Sequence, residues 1–187
     1  MLSAGSDRRD VVVAAGSAGG GLSIATLLAA GAAGLPQPAA VVLFSPGPTS
    51  PWTDLTLSGG SIRSKEDADP IFTEADVRAY ADLRVGAGDR ALPLAGPVSG
   101  GLAGLPPLLV QVGANEVLLD DAVRSAGQAG ADGVEVTLEV GPGLPHVFQH
   151  HYGRLEEADA ALDRAARFLT ARLSAGRPDP GRLAPVR

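Results

Sequence analysis

The feature that most constrains the fold is a strand, a tight turn and a helix that follow one another near the N-terminus. Residues 11–14 are wholly apolar, rich in valine and without alternation, which is typical of a strand buried on both faces of a parallel sheet. Residues 15–21 contain only alanine, glycine and one serine, and residues 22–30 have the pattern of a helix that Gly34 and Pro36 end. A strand that leads directly into a helix is typical of an α/β fold.

Three further apolar segments predict strands, and three other segments predict helices. The strands cover residues 40–44, 107–112 and 134–140, and the helices cover about 74–83, 118–129 and 154–174. This alternation over short loops indicates a mostly parallel sheet of about four strands with helices on both faces. Residues 45–106 are less regular, and a connection of that length usually carries function or covers a site.

The length of 187 residues suits one domain with one core. We expect that domain to cover residues 10–175. Residues 1–9 are expected to form a frayed N-terminus, and residues 176–187, which contain repeated proline and glycine, a flexible tail.

Composition narrows the functional classes. Fifteen Lys and Arg residues against 21 Asp and Glu residues give a net charge of −6, and Lys65 is the single lysine. Nucleic acid is therefore not an expected partner, because phosphate binding needs clustered basic side chains. The absence of cysteine excludes thiol catalysis, disulfides, iron–sulfur clusters and thiolate zinc sites.

Neither a membrane span nor a secretion signal is expected. No run of uninterrupted apolar residues reaches the roughly 18–20 that a membrane helix requires. Residues 1–9 lack the basic start and following apolar stretch of a signal peptide. We therefore expect a cytoplasmic protein.

The turn Gly16-Ser17-Ala18-Gly19-Gly20 has three interpretations. It resembles a nucleophile elbow, a strained turn that presents a serine and needs small residues two positions to either side, as Ala15 and Gly19 are. A dinucleotide-binding turn fits poorly, because no G-x-G-x-x-G spacing can be laid over it and no acidic residue ends the next strand. A purely structural glycine-rich turn stays open on this segment alone.

A nucleophilic serine needs a general base, normally a histidine that a carboxylate orients. Glu116 follows the third predicted strand, and His146 follows the fourth through a Gly/Pro turn. The order Ser, acid, His is that of serine hydrolases built on such sheets. Because the carboxyl ends of parallel strands meet at one edge, we expect Ser17, Glu116 and His146 to lie together there.

Other titratable residues compete with these two partners. Asp120 and Asp121 are expected to be helical and partly exposed, whereas His150 and His151 are expected to face solvent. The i,i+4 spacing of His146 and His150 could hold a metal on a helix, but no third ligand is suggested, so no metal site is expected.

With these residues in view, the chain resembles the hormone-sensitive-lipase-like branch of the α/β-hydrolase fold, the bacterial fold-3 esterases. The likeness covers about residues 8–172 and is carried, in order, by the elbow, the S-P-x-x-D-L segment at 45–55, residues 69–72, residues 104–109, the acid loop at 113–121 and the histidine loop at 145–149.

The resemblance implies a carboxylic-ester hydrolase that acts on small or short-chain hydrophobic esters without a cofactor. Ser17 would be the nucleophile, Glu116 the acid and His146 the base. The backbone N–H of Ala18 would be an oxyanion donor, and Gly16 would lie beside the substrate.

Two departures from the family pattern leave a second function open. The elbow reads Ala-Gly-Ser where the family has Gly-Asp-Ser, and no His-Gly-Gly-Gly stretch, which supplies most of the family's oxyanion hole, occurs in the chain. The sequence is thus expected to represent a truncated hydrolase in which efficient catalysis is not expected. The alternative is a weak or inactive remnant that serves at most as a binding or association module, with self-association through the bare edge of its first strand.

Overall fold

A parallel four-stranded sheet forms the centre of the computed structural model, which describes residues 10–47, 60–85 and 94–175. The strands lie in chain order: β1 (Val12–Gly16), β2 (Ala40–Phe44), β3 (Leu108–Gly113) and β4 (Val136–Gly141). The described helices are α1 (Ala18–Ala32), α2 (Gly60–Ser64), α3 (Glu74–Val85), α4 (Leu119–Ala131) and α5 (Glu156–Ala175), with 3₁₀ turns at Pro97–Gly100 and Phe148–His151. The predicted fold class is confirmed.

The two faces of the sheet bury different helices, because successive side chains of a strand point to opposite sides. On one face, apolar residues of β2 and β3 pack against α1 and α4; this core includes Val41, Leu43, Leu108, Val110, Ile24 and Ala126. On the other face, Val42 and Leu109 pack against Ala165, Phe168 and Leu169 of α5. Helices therefore cover both faces, as the sequence predicts.

The expectation that the first strand is buried on both faces is wrong. Among the described residues β1 pairs only with β2, and Ala14 in its centre is exposed. An apolar sequence indicates that a strand can be buried, but it does not indicate whether the strand lies in the centre or at the edge of the sheet. β2 and β3, which are central, are buried along almost their whole length.

Predicted and observed helices differ mainly at their ends and in one short element. α1 begins at Ala18, directly after the turn, and the other three predicted helices lie within two residues of expectation. α2 was not predicted, because its five residues carry no periodic pattern. It is held by tertiary hydrogen bonds instead: the Ser61 N–H donates to Asp120, and the Ser61 hydroxyl donates to the carbonyl of Val117.

The predicted terminal segments 1–9 and 176–187 lie outside the described residues, as do parts of the irregular region. Across the ranges that the structure describes, no helix combines the length and apolar character needed to cross a membrane.

Candidate active site

Ser17 lies at the turn between β1 and α1, with a backbone conformation of φ 51° and ψ −130°. Such a conformation is strained for a residue with a side chain and persists only where its surroundings fix it. The Ser17 N–H donates to the carbonyl of Phe44, and the Ser17 carbonyl accepts from Gly20 and Gly47. Gly20 is required here, since a Cβ on it would lie 2.7 Å from that of Pro46. The turn therefore holds Ser17 at the carboxyl edge of the sheet.

Glu116 follows β3 and is fully buried. Its Oε1 accepts the backbone N–H of Gly113 at 2.5 Å and the hydroxyl of Ser45 at 2.8 Å. Its Oε2 lies 2.7 Å from Nδ1 of His146. A buried carboxylate needs such partners, because an unpaired charge away from water is costly.

His146 connects the other two side chains. Its Nδ1 faces the Glu116 carboxylate, and its Nε2 lies 2.9 Å from Oγ of Ser17. Because an ionised carboxylate only accepts hydrogen bonds, it favours the tautomer with the proton on Nδ1, which leaves the lone pair of Nε2 facing the serine hydroxyl. The ring of Phe72 packs edge-on against the imidazole, with centroids 5.0 Å apart.

The acid loop and the histidine loop are joined through their backbones. The N–H groups of Ala114 and Asn115 donate to the carbonyls of Gly141 and Leu144, at 2.8 and 3.0 Å. At Gly113 the loops approach so closely that a Cβ would lie 2.2 Å from the Leu144 carbonyl oxygen. This contact fixes Glu116 and His146 relative to each other.

The structure thus brings together the three side chains singled out in the sequence. Ala18 opens helix α1, where the first N–H groups have no acceptor within the helix. Gly16, which ends β1, lies beside the histidine loop: a Cβ there would be 3.6 Å from the Val147 side chain.

The competing residues lie elsewhere. His150 and His151 are exposed, as expected. Asp120 is about one-third exposed and pairs with Arg124 at 3.6 Å. The expectation of partial exposure is wrong for Asp121, which is 2% exposed, because it lies on the face of α4 that packs into the protein. The described residues contain no cluster of three or more potential metal ligands.

A family profile described as an alpha/beta hydrolase fold matches residues 2–150. The chain also superimposes on the crystal structure of EstE7, a hormone-sensitive-lipase homologue from a metagenome library, with a TM-score of 0.81 and 38% sequence identity. The chain belongs to the α/β-hydrolase fold-3 family.

Other members of this α/β-hydrolase family give the same picture. An esterase from the bacterial hormone-sensitive lipase family matches with a TM-score of 0.83 and 40% identity, covering 90% of this chain and 55% of that structure. An acetyl-hydrolase of Streptomyces hygroscopicus is 39% identical over 169 residues, and an esterase of Acinetobacter venetianus is 31% identical over 174. These two matches include 90% and 91% of this chain. The chain spans about half, 55%, of the length of each relative.

Two residues that hydrogen-bond to the acid loop were not singled out by the sequence reasoning. Ser45 follows β2 as Glu116 follows β3, so the same rule of strand ends could have found it. Asp69 accepts the N–H groups of Ile71 and Phe72 and also that of Val117 in the acid loop. An Asp-Pro turn signals a loop, but nothing in it signals which distant loop the carboxylate binds.

Proposed function

We propose that this chain carries the catalytic triad of a serine carboxylic-ester hydrolase. Ser17 is the nucleophile, His146 the general base and Glu116 the acid that orients the base. The observation that carries the proposal is the continuous hydrogen-bonded chain from Ser17 Oγ through both nitrogens of His146 to Glu116 Oε2, at 2.9 and 2.7 Å. A serine hydroxyl is a weak nucleophile unless a base removes its proton, and this geometry supplies that base.

In the proposed reaction, Ser17 Oγ attacks the carbonyl carbon of the ester while its proton passes to Nε2 of His146. The tetrahedral intermediate collapses as His146 gives that proton to the alcohol oxygen and the ester C–O bond breaks, which leaves an acyl-enzyme. Water then attacks the acyl carbon, His146 takes its proton, and the acid leaves as the proton returns to Ser17. Glu116 holds the imidazolium in place throughout and needs no proton change of its own.

The oxyanion of the tetrahedral intermediate would lie near the first turn of α1. The N–H of Ala18 is the proposed donor, helped by the positive end of the helix dipole, and Gly16 leaves room for the acyl group beside Val147. No cofactor is required, because the side chains carry the whole reaction.

Small or short-chain hydrophobic esters are the proposed substrates. The matched relatives named acetyl-hydrolase and esterase support ester cleavage. The partly buried ring of Phe72, which packs edge-on against the imidazole of His146, supplies an apolar surface beside the triad and suits an apolar substrate group.

The second candidate function is a weak or inactive hydrolase that acts as a binding or association module. Acting by itself, this stretch of 187 residues would lack the donors of a His-Gly-Gly-Gly stretch, and the loss of one oxyanion donor costs about 10²–10³ in turnover. The unpaired edge of β1 among the described residues favours self-association. A cytoplasmic location and the absence of nucleic-acid partners stay predictions.

A covalent probe and an ester substrate together test the two candidates. Purified 187-residue protein is treated with a fluorophosphonate and assayed on p-nitrophenyl butyrate, beside Ser17→Ala. Ser125→Ala is a matched control, because it removes a buried hydroxyl whose hydrogen bonds, within the described ranges, go to carbonyls of α4. We expect labelling and slow turnover that both vanish in Ser17→Ala and persist in Ser125→Ala. Labelling without turnover would favour the second candidate, and a wild-type protein that is not labelled would contradict the triad.

A further inference from the structure

Ser45 is a buried serine at the end of β2 with an unusual backbone conformation. It is 0% exposed and has a φ of 46°. Within the described part of the chain, the only other non-glycine residues with positive φ are Ser17 and Val147, the nucleophile and the residue after the base. Strained backbone of this kind persists where the surrounding structure over-determines it. All three strained positions therefore converge on one site.

The Ser45 hydroxyl joins the acid to the histidine loop. Its Oγ lies 2.8 Å from Glu116 Oε1 and 3.0 Å from the backbone nitrogen of Val147. The N–H of Val147 can only donate and an ionised carboxylate can only accept, so the direction of both bonds is fixed. The hydroxyl accepts from Val147 and donates its proton to Glu116. In addition, the Ser45 N–H donates to the carbonyl of Gln111 in β3.

We infer that Ser45 is a positioning residue of the triad, one that aligns Glu116 and His146 without touching the substrate. The inference rests on the proposed function. Through one hydroxyl, Ser45 ties together the ends of β2 and β3 and the loop after β4. It holds Oε1 of Glu116 in place so that Oε2 faces Nδ1 of His146.

Removal of this hydroxyl has two local consequences. Glu116 Oε1 keeps only the N–H of Gly113, which leaves the carboxylate freer to rotate away from the imidazole. The buried N–H of Val147 loses its acceptor, and an unsatisfied buried donor is costly enough to shift the loop that carries His146. Both changes misalign the proton transfer but leave the substrate-facing surface intact, so kcat falls and KM stays nearly constant.

Three variants separate the hydroxyl from the strained backbone. Ser45→Ala removes the hydroxyl but keeps the Cβ, and with it the backbone strain of a positive φ. Ser45→Gly removes both the hydroxyl and that strain. Ser45→Cys returns a weaker donor of similar shape. Ser125→Ala, the buried serine in α4, serves as the matched control.

Two readouts are taken on the full chain, with folding checked by circular dichroism. The first is the rate of fluorophosphonate labelling together with kcat and KM on p-nitrophenyl butyrate. The second is the downfield proton NMR resonance of the His146 Nδ1 proton, which reports the bond to Glu116 without any turnover. We expect Ser45→Ala and Ser45→Gly to lose about 10²-fold in labelling rate and kcat, because small misplacements at a reacting centre cost about that much. The Nδ1 resonance should broaden or vanish in both, and Ser45→Cys should recover part of each signal.

The outcomes distinguish this inference from the proposed function. If wild-type protein is neither labelled nor active, the proposed function fails, and the NMR comparison alone decides the role of Ser45. A resonance that is absent in the wild type, or unchanged in folded Ser45→Ala, overturns the inference. A Ser45→Ala variant whose labelling rate and kcat equal those of the wild type also overturns the inference, but it does not contradict the proposed function. A full recovery in Ser45→Gly would also overturn it, because the backbone and not the hydroxyl would then be responsible.

Discussion

The two oxygens of the Glu116 carboxylate have different hydrogen-bond partners. Oε1 receives two donors, the N–H of Gly113 and the hydroxyl of Ser45, while Oε2 faces a single partner, Nδ1 of His146. The three partners together therefore fix the orientation of the carboxylate. They also make the effect of an amide at this position predictable.

Glu116→Gln should place the wrong group against His146. Two donors demand an acceptor at the Oε1 position, so the amide oxygen takes that place and the NH₂ group faces Nδ1. Nδ1 must then accept, which moves the ring proton to Nε2 and leaves no lone pair for the proton of Ser17. We expect kcat/KM on p-nitrophenyl butyrate to fall about 10⁴-fold, the loss seen when a triad acid becomes an amide.

The rate of fluorophosphonate labelling should fall in parallel, while the circular dichroism spectrum of Glu116→Gln stays that of the wild type. Ser125→Ala, assayed beside it, should keep the wild-type rate. A folded Glu116→Gln protein with wild-type kcat/KM would remove Glu116 from the proposed triad.

At the scale of elements, the site is assembled from the carboxyl ends of all four strands. Ser17 directly follows β1 and Ser45 directly follows β2, whereas Glu116 and His146 lie in the loops after β3 and β4. Parallel pairing brings these ends to one edge, because each strand starts from the same side of the sheet. Residues separated by 129 positions in the chain therefore lie within hydrogen-bond distance.

This rule explains why much of the site could be predicted from the sequence. The predicted strand at 40–44 coincides with β2, because a run of five apolar residues between two prolines is too short for a helix and fits a strand. Ser17, Glu116 and His146 follow from strand ends and chain order. Their catalytic roles stay predictions.

The features that could not be predicted depend on tertiary contacts, which the local sequence does not indicate. The exposure of Ala14 depends on what lies beside β1, and the burial of Asp121 depends on how α4 rotates onto the sheet. α2 exists because Ser61 exchanges hydrogen bonds with the start of α4. Ser45 differs from these, since the strand-end rule covers it, although a triad requires one serine and Ser17 already supplies it.

A substitution at Gly113 tests the close backbone contact between the acid loop and the histidine loop. A Cβ at this position would lie 2.2 Å from the carbonyl oxygen of Leu144 and 2.7 Å from that of Pro145. Both atoms are backbone and cannot rotate away, so the loops must separate. We expect Gly113→Ala to lower the free energy of unfolding by about 1–3 kcal/mol, in the range of overpacked interiors, and to slow labelling of Ser17.

Gly127→Ala is the matched control for that substitution. Gly127 lies in α4, and no atom of another element lies within 4 Å of a Cβ built on it. The same change of residue should therefore raise the free energy of unfolding by about 0.5–1 kcal/mol through helix propensity and leave labelling unchanged. Urea unfolding followed by circular dichroism measures both variants, and equal effects at the two glycines would contradict the close approach of the loops.

At the scale of the whole molecule, the sheet has two edge strands that differ in their surroundings. Each pairs on one side only within the described residues, β1 with β2 and β4 with β3. Glu139 in β4 pairs with Arg164, and Glu135, directly before β4, pairs with Arg172; both arginines belong to α5. Charged side chains at an edge discourage pairing with another chain, whereas β1 is made of valine, alanine and glycine. If copies of this chain associate, we therefore expect them to pair through β1.

Lysine substitutions at equivalent places on the two edges test this prediction. Ala14 and Thr137 are both exposed, lie within β1 and β4, and point to the face of the sheet that α5 covers in its centre. If two chains pair through β1, Ala14→Lys adds a charge at that junction and should weaken association at least about tenfold, which corresponds to about 1.4 kcal/mol. Thr137→Lys should leave it unchanged. Sedimentation velocity over a range of protein concentrations measures both. Loss of association in Thr137→Lys alone would assign the interface to β4, and a wild-type protein that stays monomeric at every concentration would show that the edge of β1 is not used between copies.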